Sequence, residues 1–178
     1  TNLYIYDLRL TGQKAIEKTP DSALPETHRE LVRDSIPSAT RSVSEAAKDV
    51  MRRVASRAFR RPASDQELDR LAKIVDQTVQ EGDSYEVGLQ TALTAILVSP
   101  NFLFKIEEPA AKVGAQYPLL SEFELATRLS YFLWSSTPDR ELLTLASKNQ
   151  LRQPGVLAAQ LDRMIKDDRA RDFVRNFA

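Results

Sequence analysis

Beyond residue 40, apolar residues recur at helical spacing through most of the chain. The densest stretch is Leu119–Leu145, LLSEFELATRLSYFLWSSTPDRELLTL. Its spacing predicts a helix over Ser121–Ser135, with Ser121 as N-cap and Glu124 completing a capping box. Leu125, Ala126, Leu129, Phe132 and Leu133 share one side, and Phe123 and Trp134 widen it. Glu124, Arg128 and Tyr131 form a narrow polar strip on which Glu124 and Arg128 are spaced to pair. So wide an apolar side predicts an interior helix covered on several sides, with Leu129 and Phe132 buried. Thr137 is expected to cap the next helix, with Pro138 at its first position and an end near Ser147.

The rest of the chain follows the same logic. Residues 3–10, LYIYDLRL, are rich in β-formers and predict one strand without a visible partner. From Gly12 to Thr40 the chain is polar and broken by Pro20, Pro25 and Pro37, an extended arm with one helical turn around Thr27–Val32. A helix from Ser42 or Ser44 to Phe59 should bury Ala47, Val50, Met51, Val54 and Ala58. Ser64 and Glu67 open a second, carrying Leu68, Leu71, Ile74, Val75 and Val79 up to Gly82. The short link between them predicts an antiparallel hairpin, and the first helix is basic where the second is acidic. A third starts at Asp83 or Ser84, with Tyr85, Leu89, Ala92, Leu93, Ile96 and Leu97 on one face. Gly88 at the edge of that face permits close packing. Ser99-Pro100 stops this helix, and Asn101–Phe104 is expected to tuck beneath the bundle.

Residues 107–116 read as a linker. A further helix from about Pro154 carries Val156, Leu157, Leu161, Met164 and Ile165. The last, from Asp167 or Asp168, carries Ala170, Phe173, Val174 and Phe177. The expectation is an all-α fold, a multi-helix bundle of about seven helices. An extended N-terminal arm, residues 1–40, holds the orphan strand. A three-helix subdomain follows at 41–108, then a second helical subdomain at 117–178. The chain opens inside a strand pattern and closes inside a helical one. We therefore expect a piece of a longer polypeptide, with the second subdomain incomplete at its C-terminus.

Composition narrows the function classes. The formal net charge is zero, which argues against a nucleic-acid partner. No cysteine is present, so disulfides, thiolate zinc sites and covalent haem attachment within this chain are excluded. No apolar run is long enough to span a bilayer. Five glycines supply neither a phosphate-binding loop nor a dinucleotide fingerprint. His28, the single histidine, has no second His or Cys to share a zinc ion, and reads as a solvated arm residue rather than an axial haem ligand.

Arg53, Arg57 and Arg60 fall at i, i+4 and i+7 and are the anion-binding candidates, for a phosphate, a sugar acid or a haem propionate. The plainer reading is ordinary ion pairing with the acidic neighbouring helix. Trp134 and Tyr131 suit stacking on a sugar, but aromatics on a crowded helix usually belong to the core. Spacing alone brings no carboxylate pair together for acid/base work, so no catalytic, metal or cofactor residue is assigned.

Three stretches carry a family resemblance: Arg57–Pro62 (RAFRRP) before an acidic helix, Leu93–Glu107 (LTAILVSPNFLFKIE), and Tyr117–Leu145. In that order they resemble two consecutive helical domains of unknown function found in large secreted proteins of planctomycete-type bacteria, over about residues 40–178. The resemblance implies a β-rich domain upstream and a cytochrome c-type segment with covalent haem elsewhere in the polypeptide. It implies a periplasmic or otherwise extracytoplasmic location, with partners among the other domains of the same polypeptide or a separate protein. The cysteines that such proteins carry ahead of the first helix are missing here. The expected function is a structural or docking module without catalysis. The alternatives are part of an oxidoreductase or polymer-degrading enzyme completed by other segments, and an anionic-carbohydrate module using Arg53, Arg57 and Arg60.

Overall fold

A computed structural model describes residues 31–32, 35–107, 119–171, 173 and 175. The chain divides into two compact units, Thr1–Asp34 and Ser35–Ala178. The strand predicted at 3–10, His28, Val174 and Phe177 lie outside the described residues. Leu31 and Val32 are helical, within the stretch where a turn was expected. The second unit is all-α, with seven α-helices and no strand among the described residues.

The first helices are set by their caps. Helix α1, Val43–Ala58, is capped by Ser42, whose hydroxyl accepts from the Glu45 amide while the Glu45 carboxylate accepts from the Ser42 amide. Helix α2, Asp65–Gln80, repeats that box with Ser64 and Glu67. Helix α3, Tyr85–Leu97, starts at Ser84. Each box satisfies amide groups that a helix start otherwise leaves without partners. Helix α2 packs against both α1 and α3, and α1 also meets α3.

The buried face of α1 is Ala46, Ala47, Val50, Met51 and Ala55, with Val54 and Ala58 only half-buried. Ala46 and Ala55 are fully buried, so the stripe is rotated from its expected position. Between α2 and α3 the approach is close at Gly88: a Cβ there would lie 2.9 Å from Val75 Cγ1 and 3.0 Å from the Val75 carbonyl oxygen. The charge complementarity of the hairpin is realised by Lys48–Asp69 and Arg61–Glu67, while Asp49 on α1 takes Arg41 and Arg52.

Helix α4, Pro100–Leu103, is a single turn begun by Ser99. It does not tuck under the bundle. Leu103 and Phe104 are 54% and 63% exposed, because the segment is held by its backbone, as described below.

Helix α5, Glu122–Trp134, has the expected Ser121–Glu124 capping box and ends at a left-handed Ser135. Its orientation corrects the interior-rod expectation. The buried stripe is Glu122, Ala126, Thr127, Ser130, Leu133 and Trp134, while Phe132 is 53% exposed and Leu129 only partly buried. Polar groups tolerate that face because each is satisfied. The Glu122 carboxylate accepts from the Leu151 amide at 2.7 Å and from Arg152. Ser130 and Thr127 donate their hydroxyls to the carbonyls of Thr127 and Phe123. The helix is therefore one-sided, packed on α6, α7 and the turn after α7.

Helix α6, Arg140–Ser147, is capped by Asp139 and not by Thr137. Asp139 accepts from the Leu142 amide at 2.9 Å and is also gripped by Arg163, which fixes its carboxylate at the helix start. Helix α7, Val156–Lys166, follows the left-handed Gly155. Met164 is buried, but Ile165 is 61% exposed, against expectation. The buried place on α7 goes to Gln160, which bonds Glu141 and Arg163. A 3-10 turn at Asp168–Ala170 leads to helical backbone at Arg171, Phe173 and Arg175. Trp134, 1% exposed, donates its indole N–H to the Met164 carbonyl at 2.9 Å, and the Arg169 guanidinium lies 3.6 Å from its ring centroid.

Gly88→Val tests the α2–α3 approach. The added side chain meets a backbone carbonyl that cannot rotate away, so unfolding free energy should fall by roughly 2 kcal/mol. Urea unfolding should show a lower midpoint at unchanged slope. An unshifted midpoint would mean that the two helices separate at no cost.

Candidate functional site

The site grows from the end of α1. Phe59 is the helix C-cap, and Arg60 takes a left-handed conformation with φ 60°. That turn carries the Arg60 side chain off the α1 face and into the protein, where the residue is 5% exposed. Its guanidinium donates to four backbone carbonyls, those of Ala58, Asn101, Phe102 and Phe104, at 3.3, 2.8, 3.2 and 2.8 Å. Three of them belong to the end of α4, where carbonyls lack helical partners and a cation is favoured.

The three arginines singled out by spacing are therefore placed differently. Arg53 lies on α1 and donates to the Ser35 hydroxyl at 3.3 Å. Arg57 lies one turn on, with its side chain exposed. Arg60 stands beyond the helix and binds backbone. The i, i+4, i+7 argument assumes helix through position 60, and the left-handed residue there breaks the register.

Beside Arg60, Arg61 makes a two-pronged pair with Glu67 at 2.9 and 2.8 Å. Glu67 also accepts from Asn101 Nδ2 at 2.9 Å and from the Ser64 amide. The Arg61 hydrogen bonds outweigh burial and hold the Glu67 carboxyl down at about 2. One carboxylate thus joins the α1 exit, the α2 cap and α4.

The helices α1–α4 and the α5 helix approach each other through polar contacts. Lys105 Nζ sits 4.6 Å over the Tyr131 ring, and the Arg60 guanidinium lies 6.0 Å from the same centroid. Arg128 grips Glu107 through two bonds of 2.7 and 2.5 Å, which holds the Glu107 carboxyl below the usual range. The hydrogen bonds of Arg128 thus go to the segment after α4, while Glu124, the partner its spacing suggested, adds its charge to Arg128 and caps the Ser121 amide. Between these contacts lies a cleft of about 480 Å³, with Phe59, Phe104, Ile106 and Phe123 among its walls and Ser64 and Lys105 at its polar edge. A second groove, about 650 Å³, is lined by Phe132, Leu161, Ile165 and Phe173, with Lys166 at its side.

Ionisable groups here are fixed rather than poised. Burial alone would raise the Asp139 carboxyl, but Arg163 and the Leu142 amide outweigh it and hold it low. Asp167 is held well below the usual range by Arg169. Tyr85 is pushed up to about 12 by burial and donates to the Ser35 carbonyl at 3.0 Å. No group of three or more His, Asp or Glu residues capable of holding a metal occurs among the described residues. Glu107 is bound to Arg128 and Asp167 caps the following turn, so neither is placed for acid/base work. The Arg60 clamp carries no signal in the sequence, because three of its four acceptors are main-chain carbonyls more than 40 positions away.

Two family models match this chain. Residues 46–107 match PSD5, described as a protein of unknown function (DUF1595). Residues 120–178 match PSD4, likewise a protein of unknown function (DUF1592). No curated protein and no solved structure matches. Both matches contribute to the cleft: Arg60, Lys105 and Glu107 come from the first, and Phe123, Glu124 and Thr127 from the second.

Two predictions follow from the clamp and its neighbour. Arg60→Met keeps the apolar stem but strips four carbonyls of their donor, so stability should fall by about 3 kcal/mol. Hydrogen exchange should quicken selectively at the amides of Phe102–Phe104; uniform quickening would refute a local clamp. For Glu67, the folded pKa of about 2 lies below its ordinary 4.5. Its contribution is complete above about pH 4.5 and is lost as pH falls through 2. Glu67→Gln should therefore flatten the decline of unfolding free energy across that window, and an unaltered decline would count against the pairing.

Proposed function

We propose that this chain is a non-catalytic docking module inside a larger extracytoplasmic polypeptide that carries a cytochrome c-type segment. The observation behind this reading is the state of the charged groups around the cleft. Each displaced carboxylate there is held ionised by an arginine or a helix start, which suits a rigid support and not proton transfer. The exposed apolar side chains of the Leu97–Ile106 segment suit contact with another protein surface. The tandem of two helical domains supports a module within a longer chain, and the family resemblance supplies the redox context.

An anion-binding role is the lesser reading. Of its three candidates, the Arg60 guanidinium is committed to carbonyls and Arg53 bonds the Ser35 hydroxyl, so it rests chiefly on the exposed Arg57.

The test uses the full-length polypeptide. Lysine-reactive cross-linking should tie the lysines of residues 35–107 to positions outside this chain. The reduced-minus-oxidised spectrum should show a c-type haem contributed from outside it. Recovery of a haem-free polypeptide from the cytoplasm, or cross-links confined to this chain, would overturn the proposal.

A further inference from the structure

Every closely packed pair of elements among the described residues lies either within α1–α4 or within α5–α7 and the turn after them. The core around Trp134 draws on side chains between Phe123 and Phe173. Each cluster is therefore a body with its own packing. Two such bodies in one chain move relative to each other unless a large apolar interface prevents it. The cleft of about 480 Å³ lies between them, with Phe59 and Phe104 in one wall and Phe123 in the other.

Among the described residues the rim of the cleft is joined by charge. Arg60 grips the carbonyls of Asn101, Phe102 and Phe104 and so fixes the exit of α4. Lys105 and Glu107 follow that exit. Arg128 and Tyr131 lie three positions apart on one face of α5. Lys105 rests over the Tyr131 ring, and Glu107 takes two hydrogen bonds from Arg128. Glu107 and Arg128 are both exposed, so water and salt compete with the pair.

Each of the two also has a substitute partner on its own side. Glu124 stands four positions before Arg128 on α5, the order and spacing of a helical ion pair, and its charge already acts on Arg128. Glu124 gives Oε2 to the Ser121 amide, and a carboxylate has a second oxygen to offer. Lys105 lies two residues before Glu107, and its charge already acts there. Parting of the clusters therefore strands neither charge: Arg128 turns to Glu124, and Glu107 keeps Lys105. Two arrangements so close in pairing are the condition for a shift of populations.

We propose that Arg128 is the moving part of an ionic latch: paired with Glu107 it closes the cleft between the two matched segments, and paired with Glu124 it lets them part and opens the way to Phe59 and Phe123. The latch concerns the chain's own halves and operates whether or not an outside partner docks.

The chain has no cysteine, so two can be introduced and spin-labelled uniquely. Gln66→Cys on α2 and Lys148→Cys after α6 place one label in each cluster at exposed positions. Pulsed electron resonance on the 178-residue chain should give one main distance at about 0.05 M salt and a second population that grows toward about 1 M. Arg128→Gln should enlarge the second population roughly threefold at low salt and blunt its response to salt. Glu124→Gln, which retains a capping side chain, should shrink that population by a similar factor. Exchanging the charges, with Glu107→Arg and Arg128→Glu together, should close the cleft more firmly than the native pair, because Glu124 and Lys105 then repel their former substitutes. The salt titration needs no change at the latch and therefore holds even if a variant loses its helical dichroism. One distance that neither salt nor Arg128→Gln alters would mean a fixed cleft. A second population indifferent to Glu124→Gln would remove the alternative partner. Either result overturns the proposal.

Discussion

The first half of the structure depends on one buried guanidinium. Arg60 follows α1 in a left-handed conformation and donates to the carbonyls that α4 leaves unsatisfied. A left-handed arginine is disfavoured by contact between Cβ and backbone, and its burial removes a charge from water. Three of the four bonds that offset these costs go to this one place and the fourth to Ala58 at the end of α1, so the α1 exit and the α3–α4 turn have a single relative position. Arg61 and Glu67 then extend the same network to the start of α2. Lysine at position 60 would keep the charge but not the fork that reaches carbonyls on two sides.

The second helix cluster is organised by a different means. Its core mixes apolar side chains with satisfied polar ones: Glu122 toward Leu151 and Arg152, Gln160 toward Glu141 and Arg163, and Ser130 toward its own helix. Such groups are expensive to bury singly and specific when paired. They fix which side of α5 faces inward and leave Phe132 and Ile165 to line an outer groove. Among the described residues the two clusters share a tyrosine ring and one arginine–carboxylate pair.

Helix starts were legible because their chemistry is local. Ser42 with Glu45, Ser64 with Glu67, and Ser121 with Glu124 announce capping boxes within four residues. The fold class, the hairpin and the tight approach at Gly88 followed from spacing alone. What stayed hidden was the phase of the buried faces. On α5 apolar residues occupy so much of the wheel that several orientations bury a similar number. The choice is made by Glu122 and Ser130, which a hydrophobic pattern assigns to solvent. The candidate site was hidden for the same reason: hydrogen bonds to distant main-chain carbonyls leave no spacing to read. Arg60 was noticed for its charge and position, yet its partner is backbone and its role is positional.

The isolation of Trp134 in α5 has a spectroscopic consequence. It is the sole tryptophan of the chain, enclosed and stacked against Arg169. Its emission therefore samples only the α5–α7 cluster, whereas far-ultraviolet dichroism sums every helix. Comparing the two signals during denaturation separates the melting of one cluster from that of the whole, without any label being introduced.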